Sequence, residues 1–190
     1  LPLLVLLAAA VLIGASYLEH RRLIAVEGAA YPPPGVLVPV HETGGDHGTR
    51  LYVYAEGAGA LTLVFLSGLG TSAPFFDFKP LLTRLSDSYR IAVVERAGYG
   101  WSDIGGRPRD VGTLLKETRT ALRKAGEPPP YVLFPHSLAG LEAIRWAQRH
   151  PDEVVAVIGL DPLVPGYHEA TGEGAALSPW ITLLARTGLM

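Results

Sequence analysis

The sequence contains no cysteine among its 190 residues. That absence excludes disulfide bonds, thiolate catalysis and cysteine-ligated zinc or iron–sulfur sites, although it does not decide the compartment. An excess of charge of one sign is also lacking, since 16 basic residues face 18 acidic ones for a formal net charge of −2. We therefore expect no nucleic-acid partner. With 48% hydrophobic residues, the chain can bury the core of a single globular domain.

One segment of the sequence could be considered as a metal site. The segment between the first two predicted strands carries His41, Asp46 and His47 among several glycines. Two histidines spaced in this way on a glycine-rich hairpin are more typical of a polar turn than of a zinc site. We predict that the chain holds no metal, and its composition indicates no cofactor.

An apolar run at the start of the chain, residues 1–18, is followed by the polar segment 19–22. About 18 apolar residues are just enough to span a bilayer, so we interpret the run as a transmembrane anchor. A cleaved signal peptide and a buried core helix are the two alternatives, and the terminal position disfavours the core helix. Arg21 and Arg22 favour a cytosolic location for the rest of the chain, but the side of the membrane stays open.

The domain organisation is predicted from the composition after this run. We expect an anchor over residues 1–22, a stiff proline-containing linker over residues 23–35 and one globular domain over residues 36–190. Within the domain, apolar runs rich in β-forming residues alternate with segments of helical periodicity. This alternation predicts a mostly parallel sheet with helices on both faces. The predicted strands cover residues 36–41, 51–55, 61–66, 89–95, 131–136 and 154–160, and the predicted helices cover 73–85, 110–125 and 141–149.

The strand over residues 131–136 stops at Ser137, and a helix-forming segment begins almost at once. Such a junction forces the serine into a strained backbone conformation, lifts its hydroxyl clear of the sheet and requires small neighbours, here Ala139 and Gly140. The following helix aims free backbone N–H groups and its positive dipole end at any oxyanion formed there. The pattern indicates acyl transfer, and the alternative is that Ser137 only caps the helix.

A glycine-rich loop, residues 67–71, follows the strand over residues 61–66. Gly68 and Gly70 place no Cβ in the way of a substrate, so the backbone of this loop can approach a reacting carbonyl closely. The backbone amides of Leu69 and of Leu138, immediately after the serine, are the two predicted oxyanion-hole donors.

Three segments together resemble the α/β-hydrolase family in the order in which that family uses them. They are the loop 67–71, the Arg-x-Gly-Tyr-Gly-x-Ser segment 96–102, and the pair His136-Ser137. The similarity covers roughly residues 51–165. It implies the α/β-hydrolase fold, with Ser137 as the nucleophile.

The nucleophile segment resembles a subgroup of that family, the membrane-anchored bacterial α/β hydrolases. The Phe-Pro-His-Ser sequence at 134–137 and the Asp-Phe-Lys-Pro sequence at 77–80 carry this likeness. Pro135 and Ala139 stand where the family pattern G-x-S-x-G has glycine, and the likeness implies that Pro135 is a subgroup variant.

Family order also implies that catalytic residues lie further along the chain than this sequence reaches. The histidine base follows the eighth strand in that order, whereas six strands are counted here. We therefore expect a C-terminally truncated domain that lacks its last strands and its base, and that is inactive on its own. His168 comes too soon to be the base. His136 is predicted to point away from Ser137 by strand alternation, and to pack and shape the turn.

Acidic residues at the strand ends have competing interpretations. Asp161 follows the last predicted strand on the edge where open α/β sheets bind ligands, so it is either the acid of the catalytic triad or a turn-shaping residue. Glu95 is expected to form an internal ion pair with Arg96, and Ser102 and Asp103 are expected to be structural.

The sequence thus predicts a membrane-anchored serine hydrolase that cleaves an ester or similar acyl bond of a small-molecule substrate. The alternative, from a different class, is a catalytically inactive protein of the same fold that binds or senses a ligand at the membrane.

Overall fold

A single helix, α1 (Pro2–Ala30), makes up most of the first of two structural units, Leu1–Pro34 and Gly35–Met190, in the computed structural model. The structure describes residues 2–41 and 48–166. No residue of α1 is buried, which argues against a core helix. α1 is long enough to cross a membrane, and an 18-residue window of it has a mean hydropathy of 2.0, a test that a signal sequence also passes.

α1 extends further than the sequence predicted. Residues 23–30 were expected to belong to the linker, but they continue the helix to Ala30. This segment is rich in Leu, Ile and Ala and contains no proline, so nothing interrupts the backbone hydrogen bonds until Pro32. The non-helical connection to the second unit is therefore short.

The second unit is built on a twisted sheet with the strand order β1-β2-β4-β3-β5-β6. β2 runs antiparallel to both of its neighbours, whereas β4, β3, β5 and β6 are parallel, which confirms the predicted mostly parallel sheet. A short strand, β7, pairs with β5 next to β6. The strands are β1 (Val36–Pro39), β2 (Arg50–Glu56), β3 (Thr62–Leu66), β4 (Arg90–Val94), β5 (Tyr131–Ser137), β6 (Val154–Val157) and β7 (Leu160–Pro162).

Helices cover both faces of the sheet, as the alternating pattern predicted. They are α2 (Pro74–Leu85), α3 (Val111–Lys124) and α4 (Ala139–Arg149). Alternate residues of β3 divide between two cores, because successive side chains of a strand point to opposite faces. Val64 packs in the core that contains Trp146 of α4, and Phe65 packs in the core that contains Leu82 of α2.

The strand predicted over residues 154–160 is divided in two. β6 ends at Val157, and β7 begins at Leu160 with a different register against β5. Gly159 packs against the ring of Pro162, and Asp161 has a φ of +49°, a left-handed conformation that breaks a regular strand. The break turns the chain back toward Ser137, so it positions the residues that follow β6 beside the end of β5.

A buried carboxylate just before β6 joins two helices. Glu153 accepts hydrogen bonds from the guanidinium of Arg119 at 2.6 Å and from the indole Nε1 of Trp146 at 2.9 Å, and it also pairs with Arg123. The hydrogen bond from Arg119 is the main reason that the pKa of Glu153 is lowered to about 2. α3 and α4 are therefore tied together at the start of β6.

Candidate active site

Ser137 is the last residue of β5 and has a φ of +51°, one of two non-glycine residues with positive φ in the described part of the chain. This left-handed conformation is unfavourable for a residue with a Cβ and persists only where the surrounding structure enforces it. α4 begins two residues later at Ala139, with Leu138 as its N-cap residue. The strand, the serine and the helix therefore form the sharp turn that the sequence pattern predicts.

Small residues around this turn allow the chain to pack closely. Ala139 is fully buried, and a Cβ on Gly140 would collide with the backbone carbonyl of Leu163. On the other side, a Cβ on Gly68 would lie 3.0 Å from the Cβ of Ser137 and 3.2 Å from Nδ1 of His136. Both glycines are thus required by close contacts and not by their own backbone angles.

Pairing between β3 and β5 brings the two predicted oxyanion-hole segments together. Leu66, the last residue of β3, is aligned with Pro135 in the parallel ladder. The residues that follow each strand therefore meet at the same edge of the sheet, with Gly68 against Ser137. Leu69 follows Gly68 in the loop after β3, and Leu138 follows Ser137 directly, so both predicted donors belong to segments at this edge.

Asp161 lies beside Ser137 because β7 pairs with the end of β5. Ser137 is aligned with Pro162, and the carbonyl of Ser137 accepts a hydrogen bond from the backbone N–H of Leu163 at 2.7 Å. Together these residues line a shallow depression of about 150 Å³. Asp161 itself is exposed. The structure thus brings the predicted serine and the predicted acid to one depression.

Glu95 does not pair with Arg96, contrary to the prediction from the sequence. Adjacent residues of an extended segment point to opposite faces, so the two side chains diverge. Arg96 pairs with Glu142 of α4 at 2.6 Å. Glu95 is fully buried on the other face and accepts backbone N–H bonds from Trp101 at 2.8 Å and Phe75 at 3.3 Å. Its burial raises the pKa of this carboxyl group.

Ser102 and Asp103 have structural roles, as the sequence predicted. The hydroxyl of Ser102 accepts a hydrogen bond from the backbone N–H of Tyr52 at 2.9 Å and donates one to the carbonyl of Glu95 at 2.7 Å. Asp103 forms an ion pair with Arg50 at 2.9 Å. These contacts hold the loop after β4 against β2.

The histidines of the described residues do not supply a base for Ser137. His41 hydrogen-bonds Glu117 through Nε2 at 3.0 Å, and Arg109 pairs with the same carboxylate. His136 is exposed at the turn, so the prediction that it packs is wrong: the strand ends here, and its ring lies beside the bare Cα of Gly68 instead of entering a core.

Three other residues were considered as metal ligands or as the base. They are Asp46, His47 and His168, and they lie outside the described residues. Over residues 2–41 and 48–166, no group of three or more His, Asp or Glu side chains is arranged to hold a metal ion.

The family model described as the α/β hydrolase fold matches residues 62–184, which include all the predicted site residues. The chain belongs to the α/β-hydrolase fold family. The esterase EaEST from Exiguobacterium antarcticum has a similar structure, with a TM-score of 0.59 and 23% identity over 69% of this chain and 46% of that one.

The proteins that are similar to this chain in sequence are longer than it is. Uncharacterized protein YbdG of Bacillus subtilis is 42% identical over 149 residues, which are 78% of this chain and 44% of YbdG. The pimeloyl-[acyl-carrier protein] methyl ester esterase of Aliivibrio salmonicida is 31% identical over 110 residues, which are 58% of this chain and 39% of that enzyme. The chain thus spans less than half the length of these relatives.

Proposed function

We propose that this chain is part of a membrane-anchored serine hydrolase that cleaves an ester or a similar acyl bond. The observation that carries the proposal is the backbone of Ser137, held at a φ of +51° between β5 and α4 with Gly68 packed against its Cβ. Such strain is retained where it exposes a reactive hydroxyl. The ester esterase among the relatives supports the class of substrate.

In the proposed reaction, the Oγ atom of Ser137 attacks the carbonyl carbon of the substrate and its proton passes to a general base. The electrons of the carbonyl double bond move to oxygen, and the backbone N–H groups of Leu69 and Leu138 stabilise the oxyanion. Collapse of this intermediate re-forms the double bond and expels the alcohol, which takes the proton from the base. Water then cleaves the acyl–Ser137 ester by the same steps.

We assign the general base to a histidine outside the described residues, since no described histidine hydrogen-bonds Ser137. Asp161 is the proposed acid that orients this histidine. Its position on the same depression as Ser137 supports the assignment. Its φ of +49° supports the competing role in shaping the turn, because Asp tolerates this conformation better than most residues.

Labelling of the full-length protein with a fluorophosphonate probe tests the nucleophile. The wild type should be labelled at Ser137, and Ser137→Ala should abolish labelling. Asp161→Asn is the matched variant for the acid, because Asn accommodates positive φ equally well but carries no charge. A catalytic Asp161 predicts a labelling rate lowered by about 100-fold or more, whereas a turn-shaping residue predicts an unchanged rate.

The alternative function makes a different prediction in the same experiment. An inactive binding protein of this fold would leave Ser137 unactivated, so wild type and Ser137→Ala would show equal, background labelling. That result would remove the hydrolase proposal while leaving the family assignment intact.

A further inference from the structure

Large apolar side chains are exposed on the loops that follow β3 and β4 and on the first turn of α2. The exposed fractions are 76% for Leu69, 55% for Phe76 and 90% for Ile104. Trp101 is partly exposed, and its ring lies 5.5 Å from that of Phe76, measured between centroids. We refer to Leu69, Phe76, Trp101 and Ile104 as the aromatic patch. Several exposed apolar side chains on neighbouring segments of one edge are typical of a contact surface.

The aromatic patch lies on the same edge of the sheet as Ser137. The backbone N–H of Gly70 donates to the hydroxyl of Tyr99 at 3.0 Å, and that of Gly100 donates to the carbonyl of Ser72 at 2.6 Å. These bonds join the loop after β3 to the loop after β4. Because Gly68 of the first loop touches Ser137, the patch continues the surface on which the proposed nucleophile opens.

The linker from α1 enters the domain next to the aromatic patch. The backbone N–H of Gly35 donates to the hydroxyl of Tyr52 at 2.9 Å, and the ring of Tyr52 lies 4.9 Å from that of Trp101. In the sheet, Val36 is aligned with Val53, which is aligned with Val94 at the C-terminal end of β4. The chain therefore arrives at the edge of the sheet that carries the patch, and not at the opposite edge.

The length of the linker limits how far this edge can be from α1. Five residue steps separate Ala30 from Gly35, and they span at most about 18 Å. The 29 residues of α1 extend about 43 Å, which matches a bilayer with its headgroups. If α1 spans a membrane, the entry point beside Trp101 is held close to the headgroups of that membrane.

We infer that the aromatic patch is a lipid-contacting surface that docks the Ser137 edge of the sheet on the bilayer, so that the substrate is an ester whose acyl chain lies in that bilayer. This inference rests on the proposed anchor and the proposed nucleophile. Trp and Phe are suited to the boundary between headgroups and acyl chains, and Leu and Ile to the acyl chains below it. The competing occupant is protein from the rest of the chain.

These 190 residues contain no cysteine, so single-cysteine labelling is a direct test once any cysteine in the rest of the full-length protein is replaced by serine. Full-length protein with Phe76→Cys or Ile104→Cys carries an environment-sensitive fluorophore in vesicles of phosphatidylcholine and phosphatidylglycerol with nitroxide-labelled acyl chains. Asp87→Cys is the matched control, because Asp87 is exposed at the opposite edge of the sheet, between α2 and β4. The thermal midpoint of each variant establishes that it folds.

Docking predicts blue-shifted emission and strong nitroxide quenching at positions 76 and 104, because side chains at such a surface enter about 5–10 Å below the headgroups. The control at position 87 should show neither. Blue-shifted emission without quenching would mean that protein covers the patch. Unshifted emission would mean that the patch is exposed to water. Either result overturns the inference.

These outcomes are distinguishable from failure of the proposed function. If carbonate removes the wild-type protein from the vesicles, the proposed anchor is wrong. If the protein stays but positions 76 and 104 are not quenched, only the docking surface is wrong.

The class of substrate is tested with Phe76→Ser and Ile104→Ser. Both should keep the wild-type labelling rate with a short, soluble fluorophosphonate and lose it several-fold with a long-chain fluorophosphonate embedded in vesicles. Equal losses with both probes would contradict a bilayer-resident substrate.

Discussion

Gly68 packs closely against Ser137. A Cβ at this position would lie 3.0 Å from the Cβ of Ser137, which is closer than ordinary van der Waals contact. Either the loop after β3 or the turn after β5 would then have to move, and with it the geometry between the serine and the Leu69 amide. We expect Gly68→Ala to slow fluorophosphonate labelling by about tenfold or more, which corresponds to about 1.4 kcal/mol of activation free energy.

Gly126→Ala is the control for that prediction. Gly126 follows α3 at the opposite edge of the sheet from Ser137, and it has a φ of +84° and no atom near the position of a Cβ, so alanine there adds backbone strain away from the serine. The cost of about 1 kcal/mol should lower the thermal midpoint by several degrees but leave most of the labelling rate. A Gly68→Ala protein labelled as fast as the wild type would show that the contact with Ser137 does not matter.

Single residues were predictable where the local pattern decides them. The positive φ of Ser137 follows from a strand that stops at a serine before a helix, and the structural roles of Ser102 and Asp103 follow from their position in a tight loop. The contact of Gly68 with Ser137 and the pair of Arg96 with Glu142 were missed. Both join residues far apart in the chain. Strand alternation predicts the face on which a side chain lies, but it does not predict which distant residue the side chain contacts there.

At the scale of elements, Glu153 links α3 to α4, and its contribution should depend on pH. Its pKa is lowered to about 2 in the folded protein from an ordinary value of 4.5, chiefly by the hydrogen bond from Arg119. A depressed carboxyl pKa stabilises the fold above the unfolded pKa, and this stabilisation is lost as the pH falls through the folded pKa. Glu153→Gln should therefore lower the free energy of unfolding most at neutral pH.

The expected loss at pH 7 is about 2–3 kcal/mol, because the part-buried Arg119 and the buried Trp146 lose their charge-assisted hydrogen bonds while the exposed Arg123 contributes little. Urea titrations should show the difference from wild type shrinking between about pH 5 and pH 2. Asp152→Asn removes the same charge from the exposed neighbouring residue and should change stability little at any pH. A difference between wild type and Glu153→Gln that does not vary with pH would contradict the ion-pair explanation.

The elements themselves were largely predictable, because apolar periodicity distinguishes strands from helices locally. Two boundaries were not. α1 continues through residues 23–30, since helix formers without proline extend a helix even beyond an anchor. β6 and β7 separate because the end of the segment pairs with β5 in a new register, which depends on the partner strand and not on the apolar run.

For the whole molecule, α1 is expected to hold the protein in a membrane. Residues 1–18 carry no charge, and burying each large aliphatic side chain gains about 1.5–3 kcal/mol. Full-length protein expressed in bacteria should remain in the membrane pellet after a carbonate wash. A shortened form that begins at Tyr31 should become soluble and keep its hydrolase activity. Soluble wild-type protein with an N-terminus trimmed near Ser16 would instead indicate a cleaved signal peptide.

The overall architecture was predictable from alternating strands and helices together with three loop segments that resemble one family. The composition of the site was predictable only in part. Ser137 and Asp161 come from strands that the chain contains, and they meet on one depression. No histidine of residues 2–41 and 48–166 hydrogen-bonds Ser137, so the proposed base is not assigned among them, and the chain spans 44% of YbdG. Which distant residue completes the site with Ser137 and Asp161 depends on the tertiary fold, so the local sequence pattern of these strands does not predict it.

The position of β1 has a mechanical consequence for a protein tethered in a fluid bilayer. Any pulling force that passes along the linker enters the domain at Gly35, immediately before β1, an edge strand with four paired residues. β5, by contrast, is flanked by β3 and β6, and two further strands lie between β3 and β1. Tension would therefore peel β1 from β2 long before it reached the strand that ends at Ser137. Detachment of this edge strand would relieve force from the anchor before that force disturbed the geometry around the serine.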